Sequence, residues 1–78
     1  VILYPNPFES TITLKTTHFT GTSTIDVADF SGRKLKTLQI NSDYENRLEI
    51  PLTDLLHGTY YLTITNDNYK KTYPIIKY

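Results

Sequence analysis

Cysteine is absent from this 78-residue chain, so neither a disulfide framework nor thiol chemistry is open to it. No apolar run approaches the length of a membrane span. Neither charge sign prevails: eight basic and eight acidic residues cancel, which argues against nucleic acid as a partner. The balance is uneven along the chain, since after Asp67 there is no acid, only Lys70, Lys71 and Lys77. The two histidines, His18 and His57, fall in separate expected turns and lack cysteines at zinc-ligand spacing. Nothing resembles a nucleophile elbow, and so small a domain has little room for a buried site. The chain therefore reads as a non-enzyme without a cofactor or metal. Asn66-Asp67-Asn68 and the pair Asp26 and Asp29 carry oxygens that suit calcium, but turn residues bonding their own backbone account for them.

What is present is alternation. Around Leu55-Leu56-His57-Gly58-Thr59-Tyr60-Tyr61-Leu62-Thr63-Ile64 a tight turn ends at Gly58, and Tyr60, Leu62 and Ile64 then face one way, the period-2 pattern of a half-buried strand. A glycine at that point suits a backbone with positive φ. Thr53 to Gly58 has the caps for one helical turn. Upstream, Val1-Ile2-Leu3-Tyr4 is a short edge strand that runs into Pro5-Asn6-Pro7, a corner whose prolines forbid helix and remove two backbone donors. Phe8 is expected to fold back as a plug.

Ser10 to Thr17 directs Ile12 and Leu14 inward, and Ser23 to Phe30 directs Ile25 and Val27 inward. Asp29-Phe30-Ser31-Gly32 is a hairpin signal, with an aspartate to accept backbone N–H bonds and a glycine for the left-handed position. Lys34 to Ile40 returns with Leu38 and Ile40 in phase, and Leu35 out of phase predicts a bulge. Arg47 to Leu52 follows, with Leu48, Ile50 and Leu52 inward. Tyr69 to Lys77 is the last strand, whose Pro74 argues for an edge position. About seven short strands with regular turn signals are the picture of an all-β antiparallel sandwich, here a monomer in one domain over residues 1–78. Among the seven tyrosines, Tyr60 is core by phase, and Tyr61, Tyr69 and Tyr78 are candidates for an exposed face.

With these residues in view the chain resembles the C-terminal sorting domain of type IX secretion cargo, type A. Tyr4-Pro5-Asn6-Pro7-Phe8 is similar to that family's opening motif and Asp29-Phe30-Ser31-Gly32-Arg33 to its central hairpin. Leu55-Leu56-His57-Gly58-Thr59-Tyr60-Tyr61-Leu62, with Lys71 to Lys77, is similar to its closing hairpin. The resemblance implies an immunoglobulin-like sandwich that addresses an N-terminal passenger to the outer-membrane translocon of Bacteroidota. It implies transit through the periplasm, delivery to the cell surface or medium, and removal by a sortase-like peptidase. The residues it singles out as recognition positions are Tyr4, Pro5, Asn6, Pro7, Asp29, Gly32, Arg33, Leu55, Gly58, Tyr60, Lys71, Tyr73, Ile75, Ile76 and Lys77. The chain opens within a strand at Val1 with no signal peptide, and so is expected to be a C-terminal module of a larger exported protein. On this reading the final strand is an open edge for a translocon to pair with. Tyr73, Ile75 and Lys77 face one side, Ile76 and Tyr78 the other, and the basic end needs no internal packing. The rival function is a carbohydrate- or protein-binding sandwich on a surface enzyme.

Overall fold

Alternating apolar residues become strands, and so does the short apolar run at the start of the chain. The computed structural model describes residues 1–16, 19–67 and 69–78. Thr17 at the expected end of a strand, His18, and Asn68 of the expected Asn66-Asp67-Asn68 turn lie outside the described residues. Among the described residues the chain forms β1 (Ile2–Tyr4), β2 (Thr11–Lys15), β3 (Thr22–Ala28), β4 (Lys34–Asn41), β5 (Arg47–Pro51), β6 (Gly58–Asn66) and β7 (Tyr69–Lys77), and no helix. The helical turn expected at Thr53 to Gly58 is instead a single hydrogen-bonded turn, closed by the Leu55 amide on the Leu52 carbonyl at 3.3 Å.

The strands make two antiparallel sheets, β1-β2-β5 and β4-β3-β6-β7. This is an immunoglobulin-like order, A-B-E against C′-C-F-G. Their inner faces meet in one core of Phe8, Ile12, Leu14, Ile25, Val27, Ile40, Ile50, Leu52, Leu62, Ile64 and Ile75. Leu38, Leu48 and Tyr60, expected in that core, are only partly buried against it. The first two sit on β4 and β5, which are edge strands with one neighbour each. Tyr69 and Tyr73 face the same way as Ile75, because directly paired residues of an antiparallel ladder share a face and both pair with the inward row of β6. Tyr61, Tyr69 and Tyr78 therefore do not line one exposed face. Tyr69 instead meets the Phe19 ring edge-on at 4.9 Å.

Two irregularities follow from single residues. Val27 pairs with Lys36 and Ala28 with Lys34, so Leu35 is the extra residue of a bulge and is half-buried. Pro74 pairs with Tyr61 on the strand that ends the sheet, at a position whose backbone faces away from β6. Its missing N–H thus costs no ladder bond.

Candidate functional site

Ala28 lies opposite both Lys34 and Tyr61, and Gly58 lies opposite Lys77. The Asp29–Arg33 loop, the Leu55–Gly58 turn and the C-terminus of β7 therefore share one end of the four-stranded sheet. The opening corner joins them there, because Phe8 forms a parallel bridge with Lys77. Motifs as much as 70 positions apart in sequence are thus gathered at one end of the sandwich.

At the corner, both Tyr4-Pro5 and Asn6-Pro7 peptide bonds are cis. The corner carries the chain from the first sheet to the outer edge of β7. There the Phe8 amide donates to the Ile76 carbonyl at 2.8 Å, and the Tyr78 amide donates to the Phe8 carbonyl at 2.9 Å. Asn6 Nδ2 donates to the Pro74 carbonyl at 3.1 Å, and the Ile76 amide donates to Asn6 Oδ1 at 3.0 Å. The edge expected to be open is covered from Pro74 to Tyr78. Lys77 is also not a free basic end: it is 8% exposed, and its Nζ lies 5.7 Å from the centre of the Phe8 ring.

The central loop is organised by Asp29. Its Oδ1 accepts the Ser31 amide at 3.0 Å, the Ser31 hydroxyl at 2.6 Å and the Arg33 amide at 3.0 Å, while Oδ2 faces Arg33 Nε at 3.3 Å. The Ser31 hydroxyl foremost holds this carboxyl below the ordinary aspartate range; desolvation opposes it, and the two amides and the Arg33 charge add to the lowering. Gly32 takes φ +88°, the left-handed conformation the hairpin requires. The third motif is braced from inside, where the Tyr60 hydroxyl donates to the Leu56 carbonyl at 2.7 Å, the geometry of a tyrosine corner. Gly58, at φ +148°, lets the chain turn into β6 there.

Between the second and third motifs lies an open groove of about 410 Å³ that includes Phe30, Arg33, Leu35, Leu55, Leu56 and Tyr60 in its walls. Phe30 is 87% exposed and Leu56 80%, and Ile76 and Tyr78 are exposed on the far strand. These apolar side chains were not all legible as site residues, although a phenylalanine at a hairpin tip and the second of two adjacent leucines in a turn both signal exposure. Of the expected recognition residues, Tyr4, Pro5, Asn6, Pro7, Asp29, Gly32, Arg33, Leu55, Gly58, Tyr60, Ile75, Ile76 and Lys77 converge on this end. Tyr73, opposite Leu62, is midway along β7, and Lys71, opposite Ile64, is further still, roughly 20 Å from Lys77 at strand spacing. Lys71 Nζ instead rests 5.2 Å from the Tyr73 ring centre. Among the described residues no three histidine, aspartate or glutamate side chains gather as metal ligands.

The arrangement presents apolar side chains on braced turns, a surface suited to binding rather than to bond-making. A family model for the secretion system C-terminal sorting domain matches residues 2–78. None of the curated proteins compared with the chain matches it.

Proposed function

The chain belongs to the secretion system C-terminal sorting domains of type IX secretion, and from that membership we propose that the export machinery reads the motif-bearing end of the sandwich. Domains of this family are sorting signals that lie C-terminal to a passenger and mark it for the cell surface or the medium, and the family is not catalytic. Residues 1–78 act as one monomeric domain. The passenger crosses the periplasm, the outer-membrane translocon engages this end, and a sortase-like surface peptidase then separates the two. The observation that carries the reading is that the opening corner, the central loop and the Leu55–Tyr60 turn with the end of β7, and Phe30, Leu56, Ile76 and Tyr78 exposed around them, occupy one end. Exposed apolar residues clustered on a small domain mark a contact surface.

The test is a reporter with a signal peptide fused ahead of residues 1–78. It should reach the surface or medium of a bacterium with a type IX system and stay in the periplasm of a mutant lacking the translocon. Periplasmic retention in the competent strain would overturn the proposal. Deleting Tyr73 to Tyr78 is a poor test of the address, because it also removes the fully buried Ile75 and uncovers Phe8. Substitutions at the exposed Ile76 and Tyr78 separate recognition from folding.

A further inference from the structure

We infer that the side chain of Asn6 serves as a one-residue surrogate strand that closes the outer edge of β7, and that the opening corner and final strand thereby form a single export signal. The first half stands on geometry; the second rests on the reading of the sandwich end given above. Backbone groups of an edge strand point alternately toward the sheet and away from it. On β7 the outward set over the last turn of the ladder is the Pro74 carbonyl, the Ile76 amide, the Ile76 carbonyl and the Tyr78 amide. Each has a partner from the corner: Asn6 Nδ2, Asn6 Oδ1, the Phe8 amide and the Phe8 carbonyl, in that order.

A carboxamide carries one carbonyl acceptor and an N–H donor side by side, as a peptide group does. Asn6 thus makes the pair of bonds that a residue of a neighbouring strand would make. Aspartate in its place offers acceptors only and would set a charge against the Pro74 carbonyl. Leucine has the same branched shape and neither bond. Pro5 and Pro7 lack N–H groups, so these two residues of the corner bring no donors beside the edge. The stretch closed in this way, Pro74 to Tyr78, is barred from adding a strand of another chain. Recognition then falls to the side chains that remain outside, Ile76 and Tyr78. The final strand holds its presenting geometry only while the corner is seated on it.

Amide hydrogen exchange of the 78-residue chain, with Asn6→Leu and Asn6→Asp, tests the closure, and the reporter fusion carrying the same variants tests the coupling. Asn6→Leu should speed exchange at Ile76 by about tenfold while Leu62 and Ile64 exchange as in the parent, because it opens only the edge. Asn6→Asp keeps the acceptor for the Ile76 amide and should retain most of that protection. Export of the leucine variant should fall severalfold, with the aspartate variant nearer the parent. Parental protection of Ile76 in Asn6→Leu overturns the closure whatever the export result. Fast exchange at Ile76 with undiminished export overturns the single-signal inference and leaves the wider reading to stand on Phe30 and Leu56. Should Leu62 also lose protection in Asn6→Leu, the Asp variant decides: export that follows its Ile76 protection, both near the parent or both reduced, supports the inference, and parental export with a faster Ile76 amide, or reduced export with parental protection, refutes it.

Discussion

Gly58 shows how a backbone requirement reads through from sequence to fold. A side chain there would meet nothing within 4 Å, so the demand for glycine comes from φ +148° alone. Gly58→Val should destabilise the domain by about 1–3 kcal/mol in urea denaturation, the range for a residue forced into a disfavoured backbone region. A change below about 0.5 kcal/mol, as at an ordinary surface position, would refute that account. Asp29 adds a pH dependence with a definite sign. Its folded carboxyl titrates below the ordinary 3.8, so its contribution is present above pH 3.8 and lost as the pH falls through the lower folded value. Asn at position 29 should flatten the acid limb of the stability profile relative to the parent, and identical limbs would contradict the role of the loop bonds. Tyr73 works at the other extreme. Burial first, then the Tyr69 hydroxyl 2.9 Å away, push it up to about 12 from 10.0. Its contribution to stability is intact below pH 10 and falls as the pH rises from there toward 12, because the unfolded chain releases its proton first. Tyr73→Phe should remove part of that alkaline loss, measured against the parent over the same range.

At the scale of elements, β7 separates folding from presentation residue by residue. Ile75 is fully buried and Ile76 is 43% exposed, so their alanine variants should diverge. Ile75→Ala should cost about 2–4 kcal/mol through the cavity it leaves, and Ile76→Ala about 0.5 kcal/mol. Equal costs in chemical denaturation would mean that the strand does not hold this register. Much at this scale was legible in the sequence. Period-2 alternation located most strands, a short apolar run before two prolines located β1, Leu35 announced its bulge and Pro74 its edge, because each is a local conflict or agreement between residue type and pleat. Other features were not legible, for a physical reason. The burial of Thr13 depends on Tyr4 and Glu49 flanking it on neighbouring strands, and the cover over β7 depends on Asn6 meeting residues some 70 positions away. Such contacts are set by topology, and no local pattern encodes them. The same gap explains why Lys77 read as a basic end when it packs on Phe8.

The whole molecule is asymmetric from end to end, and that asymmetry carries the last prediction. One end holds the corner, the Asp29 loop, the Leu55–Gly58 turn and the end of β7. The other holds the start of β1, opposite Lys15, and the loop after β4. Both ends expose apolar side chains: Phe30, Leu56 and Tyr78 at the first, Ile2 and Tyr44 at the second. Exposed hydrophobicity alone therefore does not single out a reading surface; position beside the three motifs does. Aspartate at Phe30 together with Leu56 should leave stability within about 1 kcal/mol, since neither side chain is in the core. The same pair should strongly reduce reporter export, because a charge in the groove walls must be desolvated against a partner. Aspartate at Tyr44 together with Ile2 should leave both stability and export near the parent. If the second pair blocks export and the first does not, the machinery reads the opposite end, and the convergence of the motifs serves folding alone. Export that fails equally for both pairs, with stability retained, would mean that net charge rather than a located surface governs passage.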